Sequence, residues 1–182
     1  PYINFFIDRE NFSKVALTEI YKDKEKYGSS KSGKGQRVMV EYFSPNTNKP
    51  LTIGHVRNIV LGQSISNLLK FTGHKIITAT LYNDRGIAII KAILGYQKWS
   101  EAKVPKDVGL KPDHFVGDFY VRFSEKEKTD ENLTNEAKRA LQAWEDDEPK
   151  IRKVWQQLMV WVLAGFKQTL KKLGVEKFDE EY

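Results

Sequence analysis

Lys49, Thr52 and His55 stand three residues apart in the string SPNTNKPLTIGH, which spans residues 44 to 55. A lysine brings a full positive charge, a threonine hydroxyl a hydrogen bond, and an imidazole a donor whose charge depends on pH. Set at the start of a helix, where the free N–H groups carry about half a positive charge, these groups suit an oxyanion such as a nucleotide phosphate. Gly54, with no Cβ, would let a phosphate approach the backbone, and Pro45 and Pro50 stiffen the loop that carries Lys49. Taken alone, Gly-His more often just starts a helix, and a single lysine is more often a solvated charge. The crowding of Glu41, Asn46, Lys49, Thr52, Gly54 and His55 into one short stretch weighs the other way.

The flanking segments predict the elements that would hold these residues. Arg37–Phe43 (RVMVEYF) has the successive apolar residues of a parallel strand covered on both faces, broken by Glu41 near its end. Val56, Ile59, Val60 and Leu68 recur at helical spacing, with Gly73 as C-terminal cap. Lys75–Tyr82 (KIITATLY) is rich in β-branched and aromatic residues and predicts a second strand. Strand, helix and strand make a right-handed βαβ unit, whose first loop lies at the carboxyl edge of the sheet, where α/β folds receive ligands. NDRG (83–86) is the next strand-to-helix turn, followed by a helix over Ile87–Trp99.

The fold class expected is therefore α/β, a Rossmann-like parallel sheet with an α-rich insertion and a C-terminal helix. Residues 100–130 carry several Pro and Gly turn signals and predict an irregular insertion with a short FYVRF strand at 119–123. A helix over Leu133–Trp144 follows. Ile151, Val154, Trp155, Leu158, Val162, Phe166, Leu170 and Leu173 trace one stripe of a last helix that Gly174 stops, with Trp155, Leu158 and Phe166 expected in the core. Near the start, Phe12, Val15, Ala16, Ile20 and Tyr21 predict a helix over Phe5–Tyr27 that ends near Gly28, and SSKSGKG (29–35) a flexible linker, since the G-x-x-x-x-G-K-[ST] phosphate loop does not occur.

Composition excludes some chemistry. There are 182 residues and no cysteine, so disulfides and thiolate metal sites are impossible, and the three histidines at 55, 74 and 114 are too scattered to predict a metal centre. No apolar run approaches the roughly 20 residues of a membrane span. A net charge of +6 favours an anionic partner, nucleotide or nucleic acid. The chain opens on Pro1 with no Met and no leader, and so reads as a piece of a longer, cytoplasmic protein, expected to be a monomer.

VEYFSPNTNKPLTIGHVRNIVLG resembles the signature corner of class I aminoacyl-tRNA synthetases, specifically arginyl-tRNA synthetases, with their E-x-S-S-P-N-x-x-K-P-x-H-x-G-H-x-R string. LYNDRGIAIIKAILGYQKW is similar to that family's next strand and helix, HFVGDFYVRF to its insertion, and YINFF to the exit from its N-terminal tRNA-binding domain. The resemblance implies a division into 1–34 (helix and linker leaving that domain), 35–99 (first half of the nucleotide-binding domain), 100–150 (insertion) and 151–182 (the helix returning to the catalytic domain). It implies a ligase that joins arginine and ATP to arginyl-adenylate, with Mg2+ accompanying ATP, and then esterifies tRNA(Arg).

By the same resemblance, Lys49, Thr52 and His55 would act in catalysis and, with Gly54, bind ATP. Glu41, Ser44, Asn46, Asp84 and Ala88 would border the arginine. Glu41 would pair with the guanidinium, for which a strand-end ion pair is the plainer account; Asp84 could equally cap the next helix. Two positions depart from the family pattern: Thr52 replaces the first signature histidine, and Ala88 a polar residue. No K-M-S-K-like string and no second half of the nucleotide-binding fold occurs within these residues, so the chain by itself is expected to be a half-site without activity. Two other readings compete. Nucleotidylyltransferases accept P-x-T-x-G-H, which PLTIGH fits; a non-catalytic tRNA-binding module would use Lys31, Lys34, Lys167, Lys171 and Lys172, although the last two suit a solvated helix end.

Overall fold

The computed structural model describes residues 1–182. Its elements, in chain order, are α1 (Arg9–Asp23), β1 (Arg37–Glu41), α2 (Ile53–Phe71), β2 (Lys75–Thr80), α3 (Ile87–Trp99), α4 (Pro112–Glu127), α5 (Glu131–Glu145), α6 (Pro149–Lys172) and β3 (Glu180–Glu181). The three strands form one parallel sheet in the order β1-β2-β3, with Arg37 opposite Lys75 and Ala79 opposite Glu180. The α/β reading holds, and β1 keeps one edge unpaired.

The core gathers where α3, α4 and α6 pack, around the ends of β1 and β2. Phe43, just past β1, meets Phe166 of α6 edge-on and stacks on Phe178 before β3. Tyr96, Phe115, Phe119 and Trp161 form a second edge-to-face cluster joining α3, α4 and α6. Leu158 and Phe166 are fully buried, as the stripe predicts, whereas Trp155 is half-buried. Its indole has a polar partner at the surface of the core, described below.

The expected FYVRF strand does not exist; Phe119–Phe123 lies in the middle of α4. Its alternation misleads because Phe115, Phe119 and Phe123 are also four apart, and all three face the core. Pro112 at the first turn starts this helix rather than ending one. Gly117, which looked like a turn signal, is a packing residue: a Cβ there would collide with Pro50 Cδ and lie 3.4 Å from the Lys49 Cα. The missing side chain is what lets α4 touch the first loop.

Asp113, in the first turn of α4, is buried and accepts both its bonds from Lys111 Nζ at 2.8 Å. The same ammonium reaches Thr169 Oγ1 of α6 at 2.9 Å, tying the two helices together. At the N-terminal end, Asp8 caps α1 by accepting the Glu10 and Asn11 N–H groups, so the helix is shorter than Phe5–Tyr27. None of its residues is buried, so the apolar spacing read there packs against nothing in this chain. Residues 29–35 are docked rather than a free linker: the Ser30, Gly33 and Gly35 N–H groups bond to the carbonyls of Phe71, Thr72 and Gly73 at the end of α2.

Candidate active site

Two strand-to-helix turns meet at the carboxyl edge of the sheet. The first runs from β1 to α2 and the second from β2 to α3. They are sewn together at Asn83: its carbonyl accepts the Thr47 N–H and Oγ1–H at 3.1 Å each, its N–H donates to the Pro45 carbonyl at 3.1 Å, and its Nδ2 donates to Asn46 Oδ1 at 2.7 Å. Thr47 is fully buried, and these bonds fix the loop that carries Lys49.

Beside the join, β1 and α2 enclose a groove of about 470 Å³, lined among others by Glu41, Ser44, His55 and Asn58. Three of the residues singled out from the sequence thus come together. The Leu81 N–H donates to Ser44 Oγ at 3.1 Å, and Ser44 Oγ–H donates to Glu41 Oε1. This relay orients the carboxylate and leaves Oε2 free. No cation pairs with Glu41, so the plain strand-end ion pair is not what holds it.

Across the groove, the ring of His55 turns back on its own helix. Nδ1 accepts the Thr52 backbone N–H at 3.0 Å and lies 2.9 Å from Thr52 Oγ1. Because Nδ1 is an acceptor, the ring proton sits on Nε2, which is left free to donate. Burial, and next the nearby Lys49 charge, hold the His55 pKa below its ordinary value, while the Thr52 backbone contact opposes them. The ring is therefore neutral at pH 7: a donor without a charge, beside a lysine that supplies one.

The other predicted residues are placed differently. Lys49, Thr52 and Gly54 are exposed at the mouth of α2, near His55 but outside the groove wall. Asn46 is taken up by Asn83. Asp84 does not cap α3, whose N-cap is Gly86 at φ 114°. It lines a separate cavity of about 350 Å³ with Thr47, Tyr82, Trp155 and Met159. Burial, with Glu181 nearby, pushes the Tyr82 phenol there up to about 12. Ala88, in the first turn of α3, lines neither space.

Sequence reasoning missed the α2 wall. Asn58, one turn beyond His55, shares its face, and that spacing could have found it. Gly62 could not have been found, because its value appears only in packing: a Cβ there would run into the Tyr42 ring. Trp155 was read as core, yet its Nε1–H donates to the Asp84 carbonyl at 3.0 Å.

The chain can now be set beside known proteins. Residues 16–180 match the family model described as tRNA synthetases class I (R), catalytic domain. An arginine–tRNA ligase of Treponema denticola is 41% identical over the whole chain, and one of Parabacteroides distasonis 43% identical over 80% of it. The chain spans about 31% and 27% of those two relatives. Among solved structures, arginyl-tRNA synthetase of Thermus thermophilus superposes over 98% of the chain and 27% of its own, with a TM-score of 0.64 at 24% identity, a likeness of fold. A match over that range, on a parallel α/β sheet with this turn, decides against the nucleotidylyltransferase reading: the chain belongs to the class I tRNA synthetase (R) catalytic-domain family.

Proposed function

We propose that the groove between β1 and α2 is the arginine and ATP half-site of an arginine–tRNA ligase. The single observation that carries this is the pairing, across one groove, of an oriented and unpaired Glu41 carboxylate with the neutral His55 donor at a helix N-terminus. A carboxylate with one free oxygen at the end of a groove suits a guanidinium, which would displace the Ser44 hydroxyl to bind in the two-pronged fashion. The first turn of α2, with Lys49 and His55 Nε2, suits the phosphates of ATP, whose magnesium ion arrives with the nucleotide.

In that arrangement no protein nucleophile is required. The arginine carboxylate attacks the α-phosphorus and pyrophosphate leaves, so the protein contributes alignment and charge stabilisation. Lys49 would offset charge on the phosphates, and His55 would donate to a phosphate oxygen without adding to the charge. Thr52 supplies one hydroxyl where the family string has a second imidazole, which removes a donor on the order of 100-fold to 1000-fold in rate. The unpaired edge of β1 and the exposed Leu61 and Ile65 leave one side of the groove open. In the whole synthetase the remaining length, more than two thirds of the relatives, would close it and bind tRNA(Arg). Arginine-dependent exchange of pyrophosphate into ATP by the natural full-length polypeptide carrying this sequence tests the proposal. Exchange lost in Glu41→Gln is expected; exchange indifferent to arginine would contradict it.

A further inference from the structure

Within residues 83–86, the second turn is tied to the first through Asn83. One residue further on, neither the Asp84 nor the Arg85 N–H finds a backbone acceptor, and the chain must then reverse at Gly86, at φ 114°, to enter α3. What holds this stretch comes from α5 and α6. Trp155 of α6 donates its Nε1–H to the Asp84 carbonyl at 3.0 Å, and Glu145 of α5 meets Arg85 at 2.7 Å.

The two contacts are unequal. Arg85 is 67% exposed, and an ion pair in solvent contributes little. Trp155 is half-buried and is flanked by two groups. Its ring packs edge-on against Trp144 at 5.6 Å; the Arg152 guanidinium lies 3.8 Å from the Trp144 ring centre and 5.4 Å from that of Trp155; and Arg152 is anchored to Asp147 at 2.6 Å. Flanked by a second indole and a guanidinium, the Trp155 N–H has a restricted direction, and it points at the Asp84 carbonyl, one residue past the Asn83 join.

We propose that Trp155 is a positioning residue: through the Asp84 carbonyl, α6 sets the Asn83–Gly86 turn and so, by the bonds of Asn83 to Pro45, Asn46 and Thr47, the loop beside Ser44 and Glu41 where arginine would bind. The substrate half of this inference rests on the function proposed above; the mechanical half does not. α4 touches the first turn, where Gly117 seats Pro50, so both turns of the site lean on one helical unit.

Two measurements on Trp155→Phe test this, since the phenyl ring removes the N–H and keeps an aromatic ring against Trp144. In this chain, the amide order parameters of Asp84 and Arg85 should fall from the rigid range near about 0.85 toward about 0.6, while those of His55 and Asn58 stay. Unchanged order at 84 and 85 would overturn the clamp whether or not the chain is a synthetase. In the natural full-length polypeptide, the KM for arginine should rise roughly fivefold, the loss of one ordinary hydrogen bond, with the KM for ATP nearly constant. If both KM values rise together, or neither moves, the positioning role is wrong. If the wild type shows no arginine-dependent exchange, the proposed function fails, and the order parameters still decide the clamp.

Discussion

His55 turns its ring back onto the residue that precedes its helix, so that Nδ1 accepts the Thr52 N–H at 3.0 Å. One side chain thus satisfies a free donor at the helix start and fixes its own tautomer. Nε2–H is left as the group that can serve a ligand.

A pH dependence follows from this contact. Burial and Lys49 lower the His55 pKa, so the folded protein binds that proton less readily than the unfolded chain. The contribution to stability is complete above about 6.5, the unfolded value, and is lost as the pH falls from there through the folded pKa. An NMR titration of His55 should give a pKa below 6.5, moving upward in Lys49→Met. A value above 6.5 would mean that a partner for the charged ring outweighs burial.

On the proposed function, Thr52 is the position that limits the rate. In the natural full-length polypeptide, Thr52→His should raise the rate of adenylation, within the range of about 100-fold to 1000-fold that a transition-state donor commands. Single-turnover kinetics would show it. An unchanged rate would mean that Thr52 Oγ1, 2.9 Å from His55 Nδ1, already does the work of the imidazole.

The Lys111–Asp113 pair is a buried charge with one partner. Lys111→Met would leave the Asp113 carboxylate, 1% exposed, uncompensated, and should cost about 3 to 5 kcal/mol in urea unfolding. Phe166→Ala should cost about 3 to 5 kcal/mol through the cavity it leaves, and a loss below about 0.5 would contradict its burial.

Gly117→Ala tests the seat of the first turn. The added methyl collides with Pro50 and must displace either α4 or the loop that carries Lys49. An overpacked site of this kind costs about 1 to 3 kcal/mol. The His55 pKa should also shift, because Lys49 would move relative to the ring. A variant with wild-type stability and an unmoved His55 would show that the contact yields without consequence.

How much of this could be read from the residues follows from where each signal lives. The βαβ unit, the two turns and the last helix were legible because periodicity, caps and loop residues are local. Gly117 misled because a glycine in a helix looks the same whether it breaks the helix or makes room for a neighbour. FYVRF misled because its phenylalanines satisfy both a period of two and a spacing of four. The groove was half legible: Glu41, Ser44 and His55 were predicted and do meet, while Asp84 and Ala88 lie elsewhere. Trp155 was found on the right helix in the wrong role, since no pattern within a helix shows a bond to a carbonyl 71 positions away.

Recognition of arginine joined to AMP by this groove is the most direct test of the proposed function. Titration calorimetry of the natural full-length polypeptide with a stable arginyl-adenylate analogue should show tight binding. Glu41→Gln should weaken it by about 10-fold to 100-fold, the loss of a charge-assisted pair of hydrogen bonds, while leaving the affinity for ATP alone unchanged. No binding of the analogue, or equal binding of wild type and Glu41→Gln, would contradict the account.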